Sequence, residues 1–257
     1  MTGGKTAAQV RSGDSISLLA RDWTKRVAIA LLTLSALLFA AYWGTLYYLS
    51  YVMKDAASFE EEIEAFEAFD VAAPPSTGKV LFVGSSSIRL WDSLEQDMAP
   101  IRVLNRGFGG SMIHHSLHYA DRIIVKYDPS AIVYYGGSND IGNLVAPRSP
   151  SQVSSDWAEL VALIRQELGD IPIFYISIKP TELRSRQWDE MTEANTLIFE
   201  QSRSDPNLHF IDIANHMLDE AGEVGSEYFI WDGLHMNDRG YALWARIIRH
   251  ELSEKLD

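Results

Sequence analysis

Residue types that together carry out acyl transfer occur in two short segments of this 257-residue chain. The segment GSSS at 84–87 follows an apolar run, and the segment WDGLH at 231–235 lies shortly before the C-terminal helical pattern. A hydroxyl nucleophile needs a base within hydrogen-bond reach, and the base needs an acidic group that fixes its tautomer. The serines offer the hydroxyl, His235 is the predicted base, and Asp232, three residues earlier on the same loop, is the predicted acid.

Two further polar segments offer hydrogen-bond donors for the oxyanion that forms during acyl transfer. They are NRGFGGS at 105–111 and YYGGSND at 134–140. Gly110 provides a backbone N–H that no side chain shields, and Asn139 provides a carboxamide N–H. Each segment alone is a weak signal, because glycine-rich turns follow strands in any α/β domain.

These segments are attached to the predicted elements of a parallel sheet. Short β-rich runs alternate with longer helical patterns, which predicts strands at 80–83, 101–104, 131–135, 171–178 and 208–213 and helices at 88–97, 112–126, 151–167, 186–201 and 237–256. Five strands joined by helical crossovers predict a three-layer α/β/α sandwich with a parallel sheet. Because ligands bind at the carboxyl ends of such strands, we expect the four polar segments to meet at one edge.

Taken together, the four segments resemble the sequence blocks of the SGNH, or GDSL-type, hydrolase family. The four residues that name the family match Ser86, Gly110, Asn139 and His235, and DGLHMNDRGY at 232–241 is the most specific part of the match. The resemblance covers residues 79–252. It implies a flavodoxin-like five-stranded sheet, a serine esterase activity, Ser86 as the nucleophile and the Ser86 N–H as a third oxyanion donor. We predict no cofactor and no metal.

The first block departs from the family pattern, because Ser85 stands where the family usually has aspartate. The acid of the triad is not affected, since family enzymes take it from the Asp-x-x-His loop. We predict that Ser85 hydrogen-bonds to neighbouring strand-end loops and that Ser87 caps the following helix. An α/β-hydrolase elbow is disfavoured because its motif is G-x-S-x-G, and Ile88 occupies the place of the second glycine.

Histidines and tryptophans near these segments have both a functional and a structural interpretation. His114 and His118 share a helix face, as zinc ligands can, but no third ligand has a recognisable spacing, so a pocket rim or solvated face is preferred. Trp91 and Trp231 flank the motif residues and could form a platform for acyl or sugar groups. A place in the core is the more common role of tryptophan.

Charged side chains at the predicted edge of the sheet also have both a functional and a structural interpretation. Lys179, Arg184 and Arg186 follow the fourth predicted strand, where they either hold an anionic substrate or solvate a long loop. Asp140 and Asn105 are expected to brace their loops rather than to contact substrate.

The overall charge limits the classes of partner. A net charge of −13 and the lack of a clustered Lys/Arg face argue against a nucleic-acid partner. The chain has no cysteine, which excludes disulfides, thiolate metal sites and a cysteine nucleophile. The partner that the acyl-transfer residues and the family resemblance imply is an ester substrate.

An uncharged segment of 27 residues, 27–53, is long enough to cross a bilayer. Residues 1–26 carry a net charge of +3 and the rest of the chain −16. This asymmetry predicts a single-pass anchor in the inner or plasma membrane, with a cytoplasmic basic tail at 1–26 and an extracytoplasmic catalytic domain, periplasmic in a Gram-negative bacterium. A cleaved signal peptide is less favoured because its apolar region is shorter, and a buried soluble helix is less favoured still.

Residues 54–77 combine an acidic amphipathic pattern with a linker. Phe59, Ile63, Phe66 and Phe69 recur at helical spacing, and the composition at 71–78 is typical of a linker, so a hydrolase domain is predicted at 78–257. The preferred interpretation is a stalk helix that rests on its own domain. A homodimer contact through this helix is the alternative.

These features predict a membrane-anchored serine esterase that cleaves carboxylic esters through an acyl-enzyme. Small acyl groups on a cell-envelope saccharide or lipid are plausible substrates. An O-acetyltransferase would use the same residues and pass the acyl group to a sugar hydroxyl. A non-catalytic binding module on the same fold is the third hypothesis.

Overall fold

A computed structural model describes residues 7–143 and 145–256. The first six residues of the predicted basic tail, Leu144 and Asp257 lie outside this description. The chain divides into two compact units, Met1–Val52 and Met53–Asp257. The described part of the first unit is helical and largely apolar, and the second unit contains a β-sheet.

The long helix α1 (Ala7–Lys54) makes up the described part of the first unit. Its most apolar part, Trp23–Leu49, has 27 residues, a mean hydropathy of 2.0 and exposed side chains. At a rise of about 1.5 Å per residue this part is about 40 Å long, which exceeds the apolar thickness of a bilayer. It begins four residues before the predicted segment 27–53. By length and composition, the helix can act as a membrane anchor or as a signal sequence.

The second unit is built on a five-stranded parallel sheet with the strand order β2-β1-β3-β4-β5. The strands are β1 (Val80–Gly84), β2 (Val103–Gly107), β3 (Ala131–Tyr135), β4 (Ile173–Ile176) and β5 (Leu208–Ile211). In the register of the sheet, Gly84 at the end of β1 pairs with Gly107 of β2 and with Tyr135 of β3. Three strands therefore end side by side, which brings the polar segments that follow them to one edge.

Helices cover both faces of this sheet, as predicted. They are α2 (Glu60–Ala72), α3 (Ser86–Arg89), α4 (Leu94–Met98), α5 (Ile113–His118), α6 (Ala120–Ile123), α7 (Ser138–Gly142), α8 (Pro150–Leu168), α9 (Trp188–Ser202), α10 (Ala214–Met217) and α11 (Asp238–Leu256). Alternate residues of β1 point to opposite faces, so Leu81 and Val83 join one core and Val80 and Phe82 the other. Because both faces are buried, the central strands are apolar along their whole length.

Two predicted helices are interrupted in the structure. The helix predicted at 88–97 is divided into α3 and α4, and α3 begins at Ser86, two residues earlier than expected. Between them, Trp91 Nε1 and the Ser93 hydroxyl both donate to Asp97 Oδ2, at 2.7 and 2.6 Å, and such side-chain bonds compete with a continuous helix. The helix predicted at 112–126 is likewise divided at Tyr119.

Helix α2 packs against the sheet domain. Phe59, immediately before α2, and Ile63 are buried in one of the two cores, and the Phe59 ring lies 5.2 Å from the Phe108 ring, edge to face. Phe69, the last residue of the predicted apolar stripe, is exposed instead. The packed unit therefore begins before the boundary near Gly78 that composition suggested.

Ion pairs hold the same helix in place. Asp70 forms a buried ion pair with Arg106 and accepts a hydrogen bond of 2.6 Å from Tyr127 Oη. Arg122 binds Glu60 and Glu67, each at 2.7 Å, and these contacts lower the pKa of Glu67, chiefly through the hydrogen bond from Arg122. Three of the acidic residues of α2, Glu60, Glu67 and Asp70, thus pair with basic residues of the same domain.

Packing against Phe59 also buries a histidine. Burial, and secondarily the charge of His114, lowers the pKa of His115 from 6.5 to about 3. Its Nδ1 accepts the Met112 N–H at 2.9 Å, and its ring lies 4.8 Å from that of Phe59. The ring is therefore neutral over the range in which a histidine of the unfolded chain becomes charged.

This burial predicts a specific loss of stability in acid. Because the folded-state pKa of His115 lies below the unfolded value, the neutral ring contributes fully to the free energy of unfolding above pH 6.5. This contribution is lost as the pH falls towards 3. Each pH unit below the unfolded pKa removes about 1.4 kcal/mol. From pH 7 to about pH 4.5, we expect wild type to lose about 2–3 kcal/mol more than His115→Asn, whose Oδ1 can still accept the Met112 N–H. Urea unfolding at both pH values, followed by tryptophan fluorescence, measures the difference; equal losses would contradict the prediction.

Candidate active site

The ends of β1 and β3 position the serine segment. The Ser85 N–H donates to the Tyr135 carbonyl at 3.1 Å, and the Phe108 N–H donates to the Gly84 carbonyl at 2.9 Å. These bonds fasten the turn after β1 to both neighbouring strands. Ser86 follows as the first residue of α3, so its backbone N–H has no acceptor within the helix.

Three of the predicted residues lie in one hydrogen-bonded chain. Ser86 Oγ is 3.0 Å from His235 Nε2, and His235 Nδ1 is 2.6 Å from Asp232 Oδ2. Although Ser86 and His235 are 149 residues apart in sequence, the strand edge brings them within hydrogen-bond distance. In this geometry, the imidazole can take a proton from the hydroxyl while its other nitrogen donates to the carboxylate.

The loop at 230–235 fixes the acid and the base relative to each other. Asp232 Oδ1 accepts the N–H groups of Leu234 and His235, each at 2.9 Å. Burial opposes ionisation of Asp232, but the hydrogen bonds from the His235 ring, the His235 N–H and the Leu234 N–H outweigh it and lower its pKa. Asp232 is therefore an ionised acceptor at neutral pH, which holds the proton of His235 on Nδ1.

Ser86 and His235 open into a solvent-accessible cleft of about 410 Å³ that Gly110 also lines. Gly110 has a φ of +85°, a conformation that only glycine adopts readily. The lining residues are Glu62, Ser86, Arg89, Gly109, Gly110, Asn139, Leu234 and His235. The predicted oxyanion donors therefore border the same cleft as the predicted nucleophile.

The amide of Asn139 has a fixed orientation. Its Nδ2 donates to the Ser111 carbonyl at 3.0 Å, and its Oδ1 accepts from Arg184 Nη2 at 2.9 Å. Arg184 Nη1 donates to the Ser138 hydroxyl at 2.7 Å. A flipped amide would set its NH₂ against the guanidinium and its oxygen against a carbonyl. The bond to Ser111 uses one of the two N–H groups of Nδ2, and Asn139 borders the cleft.

Arg184 reaches Asn139 through a space that a glycine provides. A Cβ on Gly142 would lie 2.3 Å from Arg184 Nε and 2.6 Å from its Cδ. The sequence alone allows two roles for Arg184, binding an anionic substrate or solvating a long loop. In the structure its guanidinium instead binds the Ser138 and Asn139 side chains of α7.

This arrangement predicts that substitution of Asn139 lowers kcat strongly and that substitution of Arg184 lowers kcat only by way of Asn139. Loss of one oxyanion donor costs about 10²- to 10³-fold in kcat, so Asn139→Ala is expected in that range. Arg184→Met should lose less and should add nothing to Asn139→Ala, because it acts through the same amide. Steady-state rates of both single variants and the double variant test this, with Arg186→Met as the exposed control. Additive losses would mean that Arg184 acts elsewhere.

The serines that flank Ser86 differ from their predicted roles. Ser85 contacts the neighbouring strand through its backbone N–H rather than its side chain. Ser87 lies inside α3 and does not cap it, because the helix begins one residue earlier. The Ser87 hydroxyl instead accepts a hydrogen bond of 3.2 Å from Lys179, which is completely buried and also lies 3.4 Å from Tyr135 Oη. Burial lowers the pKa of Lys179.

Two polar residues brace the loops, as predicted. Asp140 is buried and accepts the N–H groups of Ile113 and Gly137, each at 3.1 Å. Burial raises its pKa to about 7, against the opposing hydrogen bond from Ile113. Asn105 donates to the Ile88 carbonyl at 2.7 Å and accepts the Gly107 N–H at 2.9 Å.

The aromatic candidates divide between core and surface. Trp91 is buried against Phe82, Tyr241 and Trp244, so it cannot form a platform for substrate. Trp231 is 95% exposed, which contradicts the expectation of a core residue.

The two histidines considered as zinc ligands do not gather a third ligand between them. His118 is exposed, whereas His114 lies near Asp140 and Asp156. Those carboxylates have other partners, since Asp140 accepts two backbone N–H groups and Asp156 pairs with Arg148. Among the side chains that the structure describes, this is the one group of three with metal-ligand spacing.

Glu62 and Arg89 border the cleft but were not predicted. Arg89 is three residues after Ser86, a spacing that places both on one side of a helical turn and could have identified it. Glu62 comes from α2, far from every motif in sequence, so only the tertiary packing of α2 brings it to the cleft.

Comparisons with known proteins agree with the predicted family and with the fold. The model of the GDSL-like Lipase/Acylhydrolase family matches residues 82–243. A Streptococcus pneumonia protein assigned as a platelet activating factor has a TM-score of 0.69 at 18% identity, over 82% of this chain and 99% of that chain. A lipase/acylhydrolase from Enterococcus faecalis has a TM-score of 0.58 at 20% identity, over 70% of this chain and 97% of that chain.

An acetyl xylan esterase from Geobacillus stearothermophilus has a TM-score of 0.58 at 16% identity, over 69% of this chain and 95% of that chain. At such identities, the similarity to solved structures shows the fold alone. No curated protein matches the chain by sequence.

Proposed function

Since the chain belongs to the GDSL-like lipase/acylhydrolase family, we propose that it is a membrane-anchored serine esterase that cleaves carboxylic esters through an acyl-enzyme. The observation that carries the proposal is the chain Ser86 Oγ, His235 Nε2, His235 Nδ1 and Asp232 Oδ2, with separations of 3.0 and 2.6 Å at its two hydrogen bonds. It opens into a cleft that an ester can enter.

In the first half of the reaction, Ser86 Oγ attacks the ester carbonyl carbon while its proton moves to His235 Nε2. The carbonyl oxygen becomes an oxyanion, which accepts hydrogen bonds from the N–H groups of Ser86 and Gly110 and from Asn139 Nδ2. Asp232 stabilises the imidazolium that forms. When the tetrahedral intermediate collapses, the carbon–oxygen bond to the alcohol breaks and Nε2 returns the proton to the leaving oxygen.

In the second half, water takes the place of the alcohol. His235 Nε2 removes a proton from the water as its oxygen attacks the acyl-enzyme carbonyl, and the same three donors hold the second oxyanion. Cleavage of the bond to Ser86 Oγ releases the carboxylic acid, and Ser86 regains its proton from Nε2. The balance is one ester and one water to one acid and one alcohol.

The purified full-length protein in detergent micelles gives the direct test. We expect release of p-nitrophenol from p-nitrophenyl esters, scanned from acetyl upward, and loss of that activity after treatment with a fluorophosphonate. Mass spectrometry of the acyl product in the presence of a sugar acceptor separates the outcomes. Free carboxylic acid as the product supports an esterase. An acylated sugar as the product would show that the protein is an acyltransferase instead. No hydrolysis of any ester and no labelling would contradict the proposal.

The proposal includes an uncleaved anchor with the catalytic domain outside the cytoplasm. It is supported by the apolar helix Trp23–Leu49 and by the net charge of +3 over residues 1–26, at the N-terminal end of its uncharged part. A reporter that is active only outside the cytoplasm should work when fused after Asp257, and the mature protein should keep its N-terminal residues. A soluble product that starts after Met53 would show cleavage instead.

A further inference from the structure

Exposed apolar side chains of the second unit are concentrated in segments that adjoin the lining of the candidate active site. From Lys54 onward, the described large apolar side chains that are exposed are Phe69, Val71, Leu90, Leu183, Phe199, Ile230 and Trp231. Four of these seven, Leu90, Leu183, Ile230 and Trp231, belong to the segments around the catalytic cleft. We call these four residues the apolar rim.

Backbone contacts join the apolar rim to the loop of the predicted acid and base. Ile230 and Trp231 directly precede Asp232, and the Ile230 N–H donates to the His235 carbonyl at 2.9 Å. The Leu183 N–H donates to the Gly233 carbonyl at 3.1 Å. Leu90 follows Arg89, which lines the cleft, and shares a second surface cavity with Ile230.

The most exposed member of the rim is a tryptophan. The exposed fraction is 95% for Trp231 and 62% for Leu183, although large apolar side chains are usually buried. Exposed apolar side chains grouped around one loop are typical of an interaction site, and tryptophan is enriched at the interface between membrane and water. A rim of this composition fits a lipid surface better than it fits bulk water.

Chain connectivity favours a bilayer as the partner. Glu62, which lines the cleft, follows Leu49, the last residue of the candidate span, by 13 residues. Even a fully extended segment of that length reaches only about 45 Å. If the span is held in a membrane, the cleft is within about one domain diameter of the lipid, whatever the arrangement of the two units.

We propose that the apolar rim docks into the surface of the bilayer, so that the cleft receives esters whose acyl or alcohol part is held in the membrane. The proposal rests on the proposed function and deepens it, because it assigns the substrate to membrane lipids and lipid-linked molecules. Trp231 enters the headgroup region, and Leu183, Leu90 and Ile230 cover lipid around the cleft.

The docking is apolar rather than electrostatic. The residues beside the rim carry no surplus of positive charge, since Arg89 and Arg239 stand against five acidic residues, Glu62, Asp92, Glu182, Asp232 and Asp238. The chain beyond residue 26 carries a net charge of −16, so an anionic leaflet would not attract it. We therefore expect docking on neutral lipid, with little dependence on salt.

The absence of cysteine from the chain allows a direct test with single labels. The full-length variants Trp231→Cys and Leu183→Cys carry the environment-sensitive dye NBD, and Phe199→Cys, also exposed but outside the rim, is the control. Each is reconstituted at one copy per phosphatidylcholine nanodisc, with or without doxyl-labelled lipid. For the rim positions, we expect doxyl lipid to reduce NBD emission at least about two-fold, at low and high salt, and to leave Phe199→Cys nearly unchanged.

Every outcome of this test decides the proposal. The proposal would be overturned if neither rim position were quenched, or if Phe199→Cys were quenched equally. The rim would then be expected to bind a second copy or another protein, since the discs contain neither of these. Loss of quenching at high salt would overturn the apolar mechanism. Two rim positions are labelled so that a folding defect in one variant leaves the other informative.

An activity ratio tests the consequence for substrate. In nanodiscs, the double variant Leu183→Asp/Trp231→Asp should lower the rate on a lipid-embedded ester, relative to the rate on a water-soluble ester, by about ten-fold or more. An unchanged ratio would overturn the assignment of a membrane-held substrate. If wild type cleaves neither ester, the proposed esterase function fails, while the fluorescence result still reports on docking.

Discussion

Replacing Ser86 with alanine is expected to lower kcat for ester hydrolysis by about 10⁶-fold and to abolish fluorophosphonate labelling. The substitution removes the oxygen that lies 3.0 Å from His235 Nε2, and with it the covalent step. Rates with p-nitrophenyl acetate, labelling on a gel, and circular dichroism as a check of folding measure the effect. A variant that folds and retains the wild-type rate would remove Ser86 from the mechanism.

The neighbouring serines provide matched controls. Ser85→Ala and Ser87→Ala make the same chemical change one residue away, and both variants should still be labelled. Ser87→Ala removes the nearer of the two hydrogen-bond acceptors of the buried Lys179 Nζ, so the free energy of unfolding should fall by about 1–3 kcal/mol. If Ser87→Ala, and not Ser86→Ala, blocks labelling, the assigned register is wrong by one residue.

Asp232→Asn is expected to lower kcat by about 10⁴-fold while it leaves the fold intact. The asparagine amide can present its NH₂ to His235 Nδ1, which would favour the tautomer with the proton on Nε2. That tautomer cannot accept the Ser86 proton. Fluorophosphonate labelling should therefore slow in parallel with ester hydrolysis.

The control for this substitution is Asp238→Asn at the start of α11. It makes the same change in charge six residues along the chain, on an exposed side chain, and should keep a rate close to that of wild type. A wild-type rate for Asp232→Asn would show that another group fixes the His235 tautomer. Equal losses in both variants would indicate a general effect of charge on the domain.

Strand-end positions made much of the site predictable from sequence. Each predicted site residue follows a strand or lies on the loop before the last helix, and parallel strands bring their carboxyl ends to one edge. Topology thus predicts that the serine segment meets the loop at 231–235, and the resemblance to the SGNH family selects Ser86, 149 residues from His235, among the three serines. The proximity follows from topology, which the alternation of strands and helices specifies.

The role of Arg184 could not be predicted in the same way. A long side chain can reach several positions from one place on the backbone, and only the packed structure selects Asn139 and Ser138 as its partners. The interruption of the helix predicted at 88–97 has a similar cause, because the side-chain bonds to Asp97 are local competitors that apolar periodicity does not detect.

Helix α2 makes the smallest folding unit larger than the region of homology. The family match begins at residue 82, yet Phe59 and Ile63 are part of one core, and Glu62 lines the cleft. A protein shortened to residues 78–257 would expose the Phe108 and His115 rings that Phe59 now covers, and would lack one wall of its cleft. A water-soluble form intended for enzymology or crystallisation should therefore begin upstream of Phe59.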